Sequence, residues 1–420
     1  MKRRTLLLGV AMGAGGLAGI RYWPDQGFVN PCLDPSLPDR LADHELVKAA
    51  WSGIDALRVW DCHVHLAGTG DGDSGLWVNP AMKRLSSPSM NLRYRFYMNA
   101  ACVTQRVDES YIERLLLLQS GLKPGNRLML LAFDYFHDAA GKPVTEASAF
   151  YVPNAYAARL ADRHRDRCEW IASIHPWRSD AIDALERAAG MGARAVKWLP
   201  PAMGIDPASP RCDRYYAALI RLGLPLLTHG GDEHAVLAGP DAQRLGNPLL
   251  LRRPLEAGVK VIVAHCASLG HGVDLDRGRN AQPLPNFALF ARLMDEVRFE
   301  KHLFADISAL FQINRQRRVW DTVLARKDWH HRLINGSDYP LPAVMPLFSM
   351  DMLVEAGYLN RRDAEVLSSI RRHNPLLFDF VLKRTVAYRG QRFPPTVFES
   401  ARLFASATKS SRIPADELTS

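Results

Sequence analysis

The chain has 420 residues, which is enough to build one large domain with extensions at its ends. Its hydrophobic content of 47% and charged content of 23% are those of an ordinary globular protein and exclude a disordered or fibrous chain. The net charge of +9 comes from basic residues scattered among acidic ones, so the sequence does not indicate nucleic-acid binding and favours only a mild attraction to anionic substrates or membrane surfaces.

The first residues have the layout of an export signal. Lys2, Arg3 and Arg4 precede an uncharged stretch, residues 5–20, that is rich in Gly, Ala and Leu. Adjacent arginines before a moderately hydrophobic core resemble a bacterial twin-arginine signal. Residues 1–22 are therefore predicted to be such a signal, or an uncleaved membrane anchor, because no clean small-x-small cleavage site precedes Arg21. The predicted location is the periplasm, or the inner membrane with the protein facing the periplasm.

Residues 23–54 are predicted to be a connector, with a helical stretch beginning near Leu41. Six cysteines fit an oxidising compartment but do not form the pattern of a disulfide framework. Cys62 and Cys266 each adjoin a histidine in a predicted strand, so alternation predicts that both face away from the strand's polar side. The other four could pair, and the sequence does not indicate how: Cys32, Cys102, Cys168 and Cys212.

Apolar, β-prone runs recur from residue 59 onward, with helical patterns between them. The eight runs cover residues 59–66, 127–134, 170–176, 193–198, 224–229, 259–265, 303–308 and 332–338. Strands that alternate with helices predict an α/β fold of parallel βαβ units, and eight units predict a (β/α)₈ TIM barrel. Helices are expected over 180–189, 213–222 and 353–371. The barrel and its C-terminal helices are assigned to residues 55–385, and 386–420 are predicted to be a tail.

Polar residues stand at the carboxyl ends of these apolar runs. His63 and His65 end the first run, and later runs end at Lys197, His229, His265 and Asp338. Because strand side chains alternate, His63 and His65 should point the same way, about 6.5–7 Å apart. The carboxyl ends of barrel strands surround one shared site. The sequence therefore predicts that these side chains converge.

The residue types in this set indicate a transition metal. Neutral imidazoles with one carboxylate favour Zn²⁺, Fe²⁺ or Mn²⁺ over Mg²⁺ or Ca²⁺. Protein ligands on one side leave a position for water, whose pKa a metal lowers toward neutrality. Asp338 is placed to orient that water and to accept its proton.

The run Asp61-Cys62-His63-Val64-His65, with the later strand-end residues, resembles the amidohydrolase superfamily. The phrases GARAVKWLPP, LPLLTHGG, INGSDYP and RRHNPLLF are similar to its amidohydrolase-related branch, family 2. The resemblance covers residues 55–380 and implies a metal ligated by His63, His65 and Asp338, with His229 as a further ligand. It implies that His265 either ligates a second metal or polarises the substrate.

Lys197 leaves the number of metals open. In two-metal relatives a carboxylated lysine on the fourth strand bridges the ions, whereas family 2 relatives more often hold one. We predict a single zinc ion bound by His63, His65, His229 and Asp338, with an uncarboxylated Lys197 that binds an acidic substrate or pairs with Asp338. A carboxylated Lys197 would instead predict two metals.

Further residues near the strand ends are candidate contacts to substrate: Trp198, His175 and Tyr339. Residues 270–285 are rich in Gly, Asp and Pro and long for a βα loop, which predicts a lid. By contrast, Asp232 and Glu233 are predicted to be solvated loop residues.

Three residues of the predicted helical stretch after the first strand are candidate partners of an anionic substrate. Arg93, Arg95 and Tyr97 lie in this stretch. The sequence favours a surface position for each of them.

The predicted function is a metal-dependent hydrolase that acts on a small carboxylate, ester, lactone or amide, with Asp338, His265 and Lys197 as catalytic residues. One alternative is a non-oxidative decarboxylase or hydratase on the same metal-binding scaffold. The other is a non-catalytic periplasmic ligand-binding protein. The expected partner is a small molecule, and a membrane tether through the N-terminus and a homo-oligomer are both compatible with the sequence.

Overall fold

The computed structural model describes residues 24–405, apart from residues 235, 237–239 and 279. The predicted signal, 1–22, and the last part of the predicted tail, 406–420, lie outside the described residues. Within the described residues no helix combines the length and the apolar character that crossing a membrane requires.

Eight parallel strands form a barrel, and each falls within or beside a run predicted from the sequence. They are β1 Trp60–His65, β2 Arg127–Leu131, β3 Cys168–Ile171, β4 Val196–Trp198, β5 Leu226–His229, β6 Val261–Ala264, β7 Leu303–Asp306 and β8 Leu333–Ile334. Strands β1 to β3 pair in order, as do β4 to β8. Parallel bridges between Ala172 and Val196 and between Val64 and Tyr339 close the ring. The predicted (β/α)₈ barrel is confirmed.

Helices cover the outside of the barrel. They are Asp39–Ala42, Glu45–Ala50, Pro88–Ala101, Val107–Ser120, Asn154–Arg163, Ala181–Gly190, Pro200–Met203, Asp213–Leu222, Arg252–Glu256, Asn286–Asp295, Arg317–Ala325, Met350–Glu355, Arg361–His373, Pro375–Thr385, Pro395–Phe398 and Ala401–Phe404. The helix predicted over 213–222 is confirmed and ends where Gly223 adopts a φ of +66°. The helix predicted over 353–371 is two helices, with Gly357 at a φ of +80° in the break.

The strands bury both faces, in two separate cores. Outward side chains such as Leu226 and Val263 pack with the helices. Inward side chains such as Leu227 and Ile262 fill the lower barrel, where Phe404 from the last described helix joins them. The carboxyl ends of the strands are thereby left as the only polar end of a solid barrel interior among the described residues.

Strand β1 contains a bulge. Asp61 pairs with Leu128 and Val64 with Leu130, so three steps along β1 match two steps along β2. Strict alternation predicted that Cys62 faces the helices, and this is wrong: Cys62 packs in the barrel interior. The bulge turns Cys62 inward without removing His63 from the polar end. Cys266 packs in the outer core, as alternation predicted.

The predicted C-terminal tail is folded as far as residue 405. Phe398 and Phe404 are fully buried, and the Ser400 hydroxyl donates to the carbonyl of Trp60. Phe404 joins the barrel interior and Phe398 packs in the outer core, so the assignment of 386–405 to a tail is wrong.

One disulfide joins the connector to the helix Pro88–Ala101. Cys32 and Cys102 form it, across a sequence separation of 70. Cys62, Cys168, Cys212 and Cys266 are free and buried.

Candidate functional site

A cavity of about 350 Å³ lies over the carboxyl ends of the strands. Its floor includes His63, His65, Lys197, His265 and Asp338. Much of its cover comes from residues 66–98 and 150–152, which we call the roof. The roof includes most of the helix Pro88–Ala101 and the antiparallel pair Trp77–Val78 and Phe150–Tyr151. The strand-end residues predicted from the sequence thus share one cavity.

Asp338 is held across the seam between β8 and β1. Its backbone N–H donates to the carbonyl of His63 over 2.8 Å, and the N–H of His65 donates to the carbonyl of Tyr339 over 3.0 Å. Gly336 permits this close approach, because a Cβ there would lie 2.7 Å from the Cβ of His63. Asp338 Oδ1 is consequently 3.1 Å from His65 Nε2 and 3.6 Å from His63 Nε2.

His265 completes a group of potential metal ligands. The chain turns through three left-handed residues, 265–267, immediately after β6. This turn brings His265 Nε2 to 3.8 Å from Asp338 Oδ2. One ligand atom each from His63, His265 and Asp338 lies within 4.8 Å of the others, and all three residues are buried.

Asp306 and Ser308 at the end of β7 fix both of these imidazoles. His63 Nδ1 donates to Asp306 Oδ2 over 2.9 Å, and His265 Nδ1 lies 3.1 Å from the carbonyl of Ser308. Because each acceptor requires a hydrogen on Nδ1, both rings present the Nε2 lone pair to the shared point. Asp306 and Ser308 are not among the residues predicted for the site, although each is a polar residue at the end of an apolar run, the same signal that identified the histidines.

The protonation states suit a cation. Burial lowers the pKa of His63 to about 4, with the Lys197 charge acting in the same direction, and lowers that of His265 well below its ordinary value. Burial alone would raise the pKa of Asp338, but the imidazoles of His265, His63 and His65 outweigh it and hold this pKa below its usual range. At neutral pH, two neutral imidazoles therefore face an ionised carboxylate, which is the state that binds a metal.

The remaining predicted ligands are placed differently. His229 Nε2 donates to the carbonyl of Asp232 over 3.2 Å, so this nitrogen is turned away from the group although its ring is 5.4 Å from that of His265. The reason is the turn at Gly231, with a φ of +87°, which brings the Asp232 carbonyl back over the strand end. The structure thus places His265, which was expected to remain free for the substrate, in the group of potential metal ligands. His229 lies next to this group but is not part of it.

Lys197 is fully buried at the same floor. Its Nζ lies 3.1 Å from His63 Nε2, and burial lowers its pKa against the attraction of Asp306, Asp338 and Glu233. The Lys197 amine therefore lies within hydrogen-bond distance of one of the potential ligand atoms.

The three predicted substrate contacts lie away from the cavity, which corrects that prediction. Trp198 packs against Tyr215 in the outer core, because the strand alternates and its neighbour Lys197 points inward. His175 Nε2 faces the carbonyl of Met203 over 3.1 Å, and the ring is completely buried. Tyr339 packs against Tyr111 behind the seam.

Several residues that were expected at the surface line the cavity instead. Glu233 is 6% exposed, and its carboxylate is 3.5 Å from His229 Nδ1. Arg93 and Tyr97 line the cavity from the roof, whereas Arg95 does not. The segment predicted as a lid, 270–285, carries the ribbon His271–Val273 and Pro283–Pro285. Those of its residues that the structure describes do not line the cavity.

We expect Asp306→Asn to weaken metal binding about 10- to 100-fold, the range found when a partner of a ligating histidine is lost. The Asp306 carboxylate accepts hydrogen bonds from several donors, among them His63 Nδ1 and the His265 backbone N–H. The amide of the variant would turn its own N–H toward one of these donors, and that hydrogen bond would be lost. The measurement is the zinc affinity in competition with a chromophoric chelator. Asp328→Asn, at an exposed ion pair with Arg326, is the control. Equal affinity of the Asp306 variant and the wild type would contradict the assignment.

The amidohydrolase family matches residues 60–376, which is more than half of the chain. No curated protein sequence matches the chain.

Several solved structures resemble the fold at low identity. An uncharacterised TIM-barrel protein from Bordetella bronchiseptica is 15% identical, with 74% of this chain and 99% of that chain covered and a TM-score of 0.47. A proposed 2-pyrone-4,6-dicarboxylic acid hydrolase from Pseudomonas putida is 14% identical, with 68% of this chain and 83% of that chain covered and a TM-score of 0.40. A 5-carboxyvanillate decarboxylase from Novosphingobium aromaticivorans, complexed with manganese, is 12% identical, with 75% of this chain and 92% of that chain covered and a TM-score of 0.43.

Proposed function

The chain belongs to the amidohydrolase family, and on that premise we propose that it is a metal-dependent hydrolase of small esters, lactones or amides. One observation carries the proposal: the Asp338 carboxylate opens into the cavity while His63, His65 and His265 surround it. His63 Nε2, His265 Nε2 and Asp338 would hold a divalent transition metal. When bound, that ion supplies a Lewis acid for a carbonyl oxygen and lowers the pKa of water.

Asp338 is the proposed proton carrier. The oxygen of water adds to the acyl carbon, the acyl C–O or C–N bond breaks, and the proton of the water passes through Asp338 to the leaving oxygen or nitrogen. The low pKa keeps this carboxylate ionised at neutral pH. His65, 3.1 Å from Oδ1, orients the carboxylate toward the cavity.

The roof selects the substrate. Leu76, Trp77, Met82, Phe96 and Phe150 present apolar surface to the cavity. A substrate with an apolar body is therefore bound out of water above the ligand group.

The test is a panel of phenyl acetate, δ-valerolactone and acetanilide with the zinc-loaded full chain in ¹⁸O-labelled water. Hydrolysis places the label in the acid product. The control is His63→Ala, which should lose both metal and turnover. Release of carbon dioxide from hydroxybenzoates, without hydrolysis of any panel member, would replace this proposal with a decarboxylase. Binding of the panel compounds or of the hydroxybenzoates, without turnover of any of them, would favour a ligand-binding protein.

We expect one zinc ion per chain, and we expect Lys197→Ala to retain it. The described residues contain a single group of three closely placed ligands, and Lys197 contacts that group through His63 rather than supplying a second one. Elemental analysis of the purified wild type and the variant gives the stoichiometry. Two metals per chain in the wild type, with one lost in Lys197→Ala, would establish the two-metal alternative.

We further propose export through the twin-arginine signal, which the Cys32–Cys102 disulfide supports because such bonds persist in oxidising compartments. Replacing Arg3 and Arg4 with lysine should hold the protein in the cytoplasm, as measured by cell fractionation. Arg21→Lys is the matched control. Unchanged fractionation of the double variant would exclude this route.

A further inference from the structure

Two buried donors on one loop have no hydrogen-bond partner. The loop, residues 307–316, runs from β7 to the helix Arg317–Ala325. Among the described residues nothing accepts from Gln312 Nε2 or from Arg315 Nε. Gln312 is only 2% exposed. Buried polar groups without partners are rare and costly, so such a pair indicates a missing acceptor.

Both donors line the cavity that holds the ligand group. A turn in which the Arg315 N–H donates to the Gln312 carbonyl over 3.0 Å brings the two residues together. Arg315 is close enough to Asp338 and Glu233 to feel their charges, but no carboxylate of the described residues forms an ion pair with its guanidinium. The acceptor for these two donors is therefore expected to be a molecule bound in the cavity.

The charges of the lining favour an anion once a cation is present. Arg93, Lys197 and Arg315 are balanced by three acidic lining residues, which are Asp232, Glu233 and Asp338. A divalent metal would make this balance positive. Arg93 is the one charged side chain that the roof contributes to this lining.

We propose that Gln312 and Arg315 form a subsite for a carboxylate of the substrate, remote from the acyl group that is split. This inference rests on the proposed function and names its substrate class, an aromatic or otherwise apolar ester, lactone or amide that carries a free carboxylate. A guanidinium fork and an amide N–H together match the planar acceptor geometry of a carboxylate. The apolar roof favours a flat ring as the body of this substrate.

The first test compares 3- and 4-acetoxybenzoate with phenyl acetate on the zinc-loaded full chain. We expect the wild type to show at least a tenfold higher kcat/KM for one of the acetoxybenzoates. Arg315→Met should reduce this preference about tenfold, and Gln312→Met should reduce it severalfold. Arg318→Met, which removes an exposed arginine of the neighbouring helix, should leave the preference unchanged. A preference that is absent in the wild type, or intact in Arg315→Met, would overturn the proposal.

The second test does not require turnover and so separates this proposal from the proposed function. Benzoate affinity, measured by calorimetry, should fall about tenfold in Arg315→Met relative to the wild type and Arg318→Met, whereas the binding of neutral benzyl alcohol should change much less. If no ester is hydrolysed but this loss is seen, the subsite stands and the hydrolase proposal fails. Equal benzoate affinity in all three proteins would overturn the subsite.

Thermal unfolding distinguishes recognition from structure. Because their donors are unsatisfied in the folded chain, Gln312→Met and Arg315→Met should unfold at the temperature of the wild type or above it. Should Arg315→Met fail to fold, Gln312→Met with the same benzoate titration decides the matter. A large loss of thermal stability in Gln312→Met would assign the residue to the fold and overturn its role in binding.

Discussion

Asp338→Asn is expected to lower kcat of the zinc-loaded enzyme by about three orders of magnitude, within the range of 10²–10⁴ for the loss of a positioned proton acceptor. The amide keeps the size of the side chain and one oxygen ligand but cannot accept the proton. It also removes the negative charge that His63, His65 and His265 surround. The measurement is kcat for whichever ester or lactone the panel identifies, at saturating zinc.

Asp351→Asn is the matched control, because Asp351 lies at the surface in an ion pair with Arg361. Its activity should equal that of the wild type. If Asp338→Asn retains more than a tenth of the wild-type kcat with full metal content, Asp338 does not carry the proton.

Lys383→Met is expected to destabilise the fold by about 3–5 kcal/mol, as when one partner of a buried ion pair is removed. Lys383 Nζ donates to Asp379 Oδ2 over 2.5 Å and to the carbonyl of Gly336 over 2.6 Å, and both charged side chains are almost completely buried. The variant leaves the Asp379 carboxylate without its cation behind β8. The urea midpoint reports the loss.

The loss should depend on pH. Burial raises the pKa of Asp379 from 3.8 to about 7, against the opposing attraction of Lys383. A carboxyl group that holds its proton more tightly when folded contributes most stability below pH 4 and loses that contribution as the pH rises through about 7. Without Lys383 the folded protein accommodates the ionised Asp379 carboxylate less well. The loss of folding stability in Lys383→Met should therefore be larger at pH 8 than at pH 6.

Replacing both partners tests the cause. Lys383→Met with Asp379→Leu removes the unpaired charge and should recover most of the midpoint. Lys48→Met, at an exposed pair with Asp43, should leave the midpoint unchanged. A Lys383→Met midpoint equal to that of the wild type at both pH values would contradict the prediction.

The sequence was sufficient for the barrel because each strand is an apolar run that ends in a polar residue or a turn. Asp338 and the paired histidines stood out for that reason. Trp198 faces away from Lys197 because strand side chains alternate, so the prediction that it contacts the substrate failed on this rule. The bulge at Cys62 could not be predicted, because one additional residue in a strand leaves no pattern in composition.

The division of roles among the later histidines depends on turns. Three left-handed residues after β6 aim His265 at Asp338, and the Gly231 turn aims His229 at a carbonyl. Neither turn is visible in the spacing of the histidines. Gln312 and Arg315 lie on a loop without periodicity, so only the folded cavity identifies them.

The roof and the ligand group come from different parts of the molecule. Residues 66–98 and 150–152 cover the cavity. Of the ligand group, His63 lies on β1 just before the roof, while His265, Asp338 and their partner Asp306 stand at the ends of the last three strands. Mutations that accumulate in the roof change which molecules enter without disturbing the bonds that position the ligands. Proteins that share this arrangement can keep one reaction and diverge in substrate specificity. Laboratory evolution of new specificities should therefore begin with libraries confined to the roof.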